Sequence, residues 1–348
     1  MYKTEDIFMK LTFEQIKSIT LGAVRIEEKD GLVYFYRFTK AEEEMYARRS
    51  PDDFYKKTFG TAGIKLRFKT DSKTLGLAVD VNYGSSRNYF AFDISVNGDL
   101  IGSINNYEGV DFPVAYAQFD GFNKDTVYSK SFELGEGEKE VSVYLPWSFA
   151  GRITEMTLDD GASIIPVKCD KTMLVYGDSI THGYDALHPS ACYITLVADA
   201  LGAEQYNKAI GGEIYVPELA AIKQDFTPDY VLVAYGSNDW SRIGADTFEN
   251  NFRGFYTSLC EHYPQSRIFA VSPIWRKDCE EYREFGSFSR VPEIMERVAS
   301  EFDNVTFIKG YDFVPEDVSF FADLRLHPND SGFAHQAKNL LAKLKENL

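Results

Sequence analysis

The sequence predicts an α/β chain in two parts: a β-sandwich of the jelly-roll kind over residues 1–167, then a doubly wound α/β domain around a central parallel sheet over 168–348. Three observations predict it. The first part consists of short alternating runs separated by hairpin turns, without long helical periodicity. The second alternates short continuous apolar runs with helical stretches, as strands buried on both faces and their crossover helices do. The length of 348 residues, with 44% hydrophobic and 26% charged, suffices for two cored units.

In the first part, Asp30-Gly31 separates Ala23–Ile26 from Leu32–Tyr36, and Asp-Gly between such runs is a hairpin signal. The polar stretch Thr39–Phe59 reads as a loop or short helix. Ile64–Phe68 alternates apolar and basic residues, which suits a half-buried strand. Leu75–Val81 follows. Phe90–Val96 and Leu100–Ser103 flank Asn97-Gly98, a second hairpin, and Val141–Leu145 and Ile153–Leu158 complete the set. The tyrosines and phenylalanines of this part are expected in its core. In the second part, Met173–Tyr176, Tyr230–Tyr235, Ile268–Val271 and Val305–Ile308 are the buried strands. Helical stretches lie near 190–201, 214–224, 246–262, 290–302 and 331–346. No internal repeat or low-complexity tract is present.

Charge narrows the function classes. Lys plus Arg is 37 against 53 Asp plus Glu, a formal net charge of −16. That argues against a nucleic-acid partner and against an anionic membrane surface, both of which need a basic face. No stretch approaches the ~18–20 apolar residues of a spanning helix. Met1 to Asp6 carries no basic segment leading into an apolar run, so no leader is read there and a cytoplasmic location is expected. The four cysteines, Cys169, Cys192, Cys260 and Cys279, form no C-x-x-C pair, and the five histidines are scattered. No metal site is therefore expected, and the thiols are expected to be reduced.

Chemistry concentrates where the buried strands end, the usual ligand position of an open parallel sheet. Gly177-Asp178-Ser179 follows the first strand, where a serine can expose its hydroxyl or simply cap a helix. Gly211-Gly212 can bring a backbone N–H close to a ligand or form an ordinary turn. Gly236-Ser237-Asn238-Asp239 offers an amide donor. His327-Pro328-Asn329 lies just before the last helix, with Asp323 four residues ahead. Singly each has an ordinary structural explanation. Together they supply a nucleophile, oxyanion donors and a base, the parts that acyl transfer needs. Trp275, beside Arg276, is a candidate platform for a sugar ring. His182, three residues after Ser179, is placed to face the site but is not counted as catalytic.

The four blocks, in this order, resemble the SGNH or GDSL esterases. The resemblance implies ester hydrolysis without a cofactor, with Ser179 as nucleophile and His327 as base. It further implies an oxyanion hole from Ser179 N–H, Gly212 N–H and Asn238. The family's acidic residue usually stands three positions before the histidine, where this chain has Leu324. Either Asp323 or a backbone carbonyl orients His327. A β-sandwich before such a domain also resembles two-domain carbohydrate esterases. The expected substrate is therefore an O-acetylated small molecule or oligosaccharide. A lipase-like or aryl-esterase activity on longer acyl chains, or a silent carbohydrate-binding protein, are the rival readings.

Overall fold

The structure is a computed structural model that describes residues 8–110, 119–123 and 126–348. Met1 to Asp6, read above for a leader, lies outside the described residues. The first half forms two antiparallel sheets. One runs in the order Arg25–Lys29, Leu32–Tyr36, Phe149–Asp159, Thr74–Tyr83, Tyr128–Glu133, with Phe8–Lys10 also paired to Phe149–Asp159. The other runs Ile165–Pro166, Lys65–Thr70, Lys139–Tyr144, Ala91–Val96, Asp99–Asn105, with Thr20–Leu21 on Lys65–Thr70. Leu66, Phe68, Leu77, Val79, Phe92, Ile94, Val143 and Ile153 share one buried core. Both expected hairpins have two central residues in the left-handed region, with φ of 54° and 75° at Asp30 and Gly31 and of 53° and 92° at Asn97 and Gly98. That is the turn whose twist matches paired strands.

Beyond short elements such as Phe8–Lys10 and Phe13–Ser18, two larger ones differ from the sequence reading. Tyr128–Glu133 is an edge strand that the sequence reading lacks, because its polar residues give no apolar run. Thr39–Phe59 forms two helices, Lys40–Arg49 and Phe54–Lys57. The first is started by a capping box in which Thr39 and Glu42 satisfy each other's backbone N–H. These helices do not extend the sandwich. Phe38, Met45 and Tyr46 are buried in the same core as the parallel sheet, as is Trp147.

That sheet comprises β1 (Lys171–Gly177), β2 (Ala203–Asn207), β3 (Tyr230–Ala234), β4 (Arg267–Val271) and β5 (Val305–Ile308), all parallel, in the order β2-β1-β3-β4-β5. The helices Tyr193–Ala200, Ala245–His262, Arg290–Ala299 and Asp330–Glu346 fall where periodicity puts them, while the expected 214–224 stretch is helical only over Pro217–Ala220. Phe248, Phe252, Phe255, Tyr256 and Leu259 make the buried stripe of the longest helix, spaced at three and four residues. The order reverses between β1 and β3, which opens a crevice at their carboxyl ends. Among the described residues no helix is long and apolar enough to cross a membrane.

Candidate active site

Ser179 stands at that switch point. β1 ends at Gly177, and Asp178 caps the short helix Ser179–His182 by accepting the Ile180 N–H at 3.0 Å. Ser179 is thus the first helical residue, where a backbone N–H has no intrahelical acceptor. Its N–H and that of Gly212 have no acceptor among the described residues. Asp178 is buried, and burial pushes its carboxyl up to about 6 against the pull of the Ile180 N–H and of His327.

The Ser179 hydroxyl and the His327 ring meet from opposite ends of the domain. Oγ lies 2.8 Å from Nε2. Nδ1 lies 2.9 Å from Asp323 Oδ2. Because carboxylates only accept, the neutral ring keeps its proton on Nδ1 and leaves Nε2 to accept from Ser179. The loop carrying Asp323 and His327 is closed by an antiparallel bridge between Phe321 and Pro328 and by the Ala322 N–H on the His327 carbonyl at 2.8 Å. Its extra residue is absorbed at Leu324, whose φ is 56°. A left-handed leucine costs about 1–2 kcal/mol. Asp323 Oδ1 offsets that cost by accepting the N–H groups of Arg325, Leu326 and His327 at 2.9, 2.7 and 3.0 Å.

The glycine segment 207–213 is fixed from outside itself. Arg37 donates to the carbonyls of Asn207 and Ala209 at 2.9 and 3.0 Å, and Lys57 donates to that of Gly211 at 2.9 Å. The Gly211 N–H donates to His182 Nδ1 at 3.2 Å, while His182 Nε2–H donates to the Trp147 carbonyl at 3.0 Å. His182 is therefore a neutral, fully used ring. Burial and Arg37 hold it well below the ordinary histidine value. It positions the glycine segment. Gly212 has φ 92°, and a Cβ there would sit 3.3 Å from the Phe54 ring, so the position suits glycine on both counts. Arg49 pairs with Glu213 at 2.6 Å, and the buried Lys208–Glu42 pair closes at 2.7 Å.

Asn238 is the second residue of the helix Ser237–Arg242, directly after β3. One Nδ2–H donates to the Glu213 carbonyl at 3.0 Å, which leaves the other for a ligand. Asp239 secures this corner by accepting the N–H groups of Tyr215 and Gly236, each at 3.0 Å, and burial pushes it up to about 7. Arg276 is buried and donates to the Ser237 carbonyl at 3.1 Å.

Trp275 departs from the expectation of a sugar platform. It is only 9% exposed and packs on Phe321 with ring centroids 5.3 Å apart. Its ring packs on Phe321, where the histidine loop begins. The residue that the sequence reading missed is Asp185. Fully buried, it sets Oδ2 3.1 Å from His327 Nδ1 and is held by Arg87 of the first half, Nε to Oδ1 at 2.6 Å and Nη2 to Oδ2 at 2.9 Å. An acidic residue six positions after Ser179 was visible, but nothing local ties it to a histidine 142 positions on, since 327 − 185 = 142. Burial alone would lower His327, yet Asp185 and Asp323 outweigh it and raise the ring to about 9. The ligating atoms of Asp185, Asp323 and His327 lie within 4.8 Å of one another, a spacing that suits a cation, but the Arg87 guanidinium already supplies the positive charge at Asp185.

A serine hydroxyl on a histidine, at the carboxyl end of β1 and ahead of two oxyanion donors, is the arrangement of an acyl-transfer site. The sequence profile of the GDSL-like Lipase/Acylhydrolase family matches residues 175–335, which span every block named above. The chain carries a GDSL-like lipase/acylhydrolase domain. The fold of the chain is similar to that of solved carbohydrate esterases. No curated protein matches the chain. Among solved structures it is similar to the salicylyl-acyltransferase SsfX3 of a tetracycline biosynthetic pathway, with 21% identity, TM-score 0.77 and 99% of each chain covered. It is also similar to a family two carbohydrate esterase from Cellvibrio japonicus, with 16% identity, TM-score 0.63, and 98% of this chain and 97% of that one covered. An acetyl xylan esterase, Est2A, from Butyrivibrio proteoclasticus gives 15% identity, TM-score 0.62 and 98% of each chain covered. These are likenesses of fold, and they extend over the sandwich as well as the GDSL-like domain.

Proposed function

We propose that this protein is a serine esterase that removes short acyl groups, acetyl foremost, from carbohydrate hydroxyls. The observation that carries the reading is the Ser179 Oγ to His327 Nε2 contact of 2.8 Å, with carboxylate on the far side of the ring. Ser179 Oγ attacks the acyl carbon as its proton passes to Nε2. The oxyanion receives the Ser179 and Gly212 N–H groups and the Asn238 amide. Collapse expels the sugar oxygen, which takes the proton from Nε2. Water then attacks the acyl-enzyme with His327 as base, releasing the acid and restoring Ser179.

A polar groove of about 500 Å³ supports a carbohydrate leaving group. Its lining includes Asp53, Lys56, Asn82, Ser85 and the half-exposed Tyr83, hydrogen-bonding groups beside one aromatic face. Two of its residues connect it to the candidate site. Its Lys57 holds the Gly211 carbonyl, and its Ser86 hydroxyl lies 3.3 Å from Tyr184 Oη, whose ring stands 5.7 Å from that of His327.

The test is acetate release from acetylated oligosaccharides, alongside nitrophenyl acetate, butyrate and octanoate. Acetate should be preferred, and Ser179→Ala, still folded, should lose at least about 10³-fold in kcat. A preference for octanoate would favour a lipase-like enzyme. Activity of Ser179→Ala within tenfold of the parent would remove the mechanism.

A further inference from the structure

Asp185 has an environment that a structural ion pair does not require. Its backbone is in the left-handed region, φ 71°, which a non-glycine residue adopts only when its surroundings hold it there. Oδ1 accepts from Arg87 Nε and lies 3.3 Å from Tyr89 Oη. Oδ2 accepts from Arg87 Nη2 and faces His327 Nδ1. Arg87 in turn lies over the Tyr184 ring, 5.2 Å from its centroid, so the guanidinium is fixed from two sides. Both Arg87 and Tyr89 precede the Ala91–Val96 strand of the sandwich.

We propose that Asp185, clamped by Arg87, is a second positioning carboxylate for His327, sharing the Nδ1 proton with Asp323 and bringing the sandwich half into the proton relay. This rests on the Ser179–His327 reading above. The two carboxylates differ in kind. Asp323 is nearer, but its side chain is 28% exposed, so water screens its field. Asp185 is slightly farther and wholly buried, so its field on the imidazolium is little screened. Arg87 offsets part of that charge; the larger pull of His327, helped by Arg87, holds the carboxyl below the ordinary aspartate value despite burial. The groups facing His327 are therefore Ser179 at Nε2, Asp185 and Asp323 at Nδ1, the Tyr184 ring, and Asp178 nearby, with Arg87 and Tyr89 behind Asp185.

The proposal gives shifts of opposite sign. The experiment follows kcat and KM against pH with a soluble acetate ester for the full chain, Asp185→Asn, Arg87→Gln, Asp323→Asn and Asp185→Asn/Asp323→Asn. Asp185→Asn should cost about 10–100-fold in kcat with a smaller change in KM. Its acid limb should move down by about one pH unit or more, towards the ordinary histidine value. Arg87→Gln keeps the carboxylate and removes its counter-charge, so the limb should move up. The double asparagine variant should fall to near the level of His327→Ala. A folded Asp185→Asn with kcat within about twofold and an unmoved limb would reduce Asp185 to a docking contact. If Asp185→Asn does not fold, an unmoved or lowered limb in Arg87→Gln overturns the proposal equally. Ser179→Ala, run in parallel, separates the two levels. Its loss of activity beside a silent Asp185→Asn rejects only the second carboxylate, whereas its survival rejects the underlying mechanism.

Discussion

The histidine loop and the glycine segment bracket Ser179, and they are held in opposite ways. Asp323 fixes the histidine loop from within, through three backbone N–H groups at most four residues away. The glycine segment is fixed from far off in sequence: Arg37 reaches Ala209 across 172 residues, Lys57 reaches Gly211 across 154, and Arg49 reaches Glu213 across 164. The difference teaches that the second half carries the Ser179–His327 pair, while the first half holds the glycine segment beside it in place. The same holds away from the site, where Asp93 of the sandwich accepts from His188 Nδ1 at 2.9 Å and from Ser190 Oγ at 2.7 Å.

If that comparison is right, the largest effects come from the long-range partners. Glu42→Ala leaves the fully buried Lys208 ammonium without its carboxylate, and should cost about 3–5 kcal/mol in denaturant unfolding. Arg37→Ala removes a buried guanidinium that satisfies several carbonyls, and should lose both stability and kcat. Lys57→Ala frees the Gly211 carbonyl and the exposed Asp53 carboxylate, and should lower kcat about tenfold with a small change in melting temperature. At the histidine loop, Leu324→Gly relieves a left-handed leucine and should change stability by only about 1 kcal/mol, leaving kcat within a few fold. Chelators should change nothing. A large stability loss in Leu324→Gly, or none in Glu42→Ala, would invert the comparison.

The pH dependence sharpens it further. His327 must be neutral to accept the Ser179 proton, and its two carboxylates hold it up at about 9. kcat/KM should therefore rise with pH through the alkaline range and level off above about 9. Stability runs the other way. With a folded value raised above the ordinary 6.5, the contribution of His327 is fully present below about 6.5 and is lost as pH rises through about 9. An activity optimum below neutrality would contradict the carboxylate cage.

What was legible in the sequence follows the same division. Asp30-Gly31 and Asn97-Gly98 encode their own turns, and the continuous apolar runs encode buried strands, because the determining forces act within a few residues. Ser179, Gly212, Asn238 and His327 were legible as motifs tied to strand ends. Asp185, Arg87, Lys57 and the role of His182 were not, because each acts through a partner that only the folded chain brings near. Trp275 misled for a related reason: its type suggested a platform, but its exposure depends on Phe321, 46 positions away, since 321 − 275 = 46. Tyr128–Glu133 was missed because an edge strand exposed on one side needs little apolar content.

The central claim is that Ser179, driven by His327, carries the acyl group. Rapid mixing with nitrophenyl acetate, followed by intact-mass measurement and peptide mapping, tests it most directly. The account predicts a burst of one nitrophenol per chain and a single acetyl group on Ser179, absent in Ser179→Ala and His327→Ala. Steady turnover without any burst, and an acetyl group on another residue or on none, would contradict it.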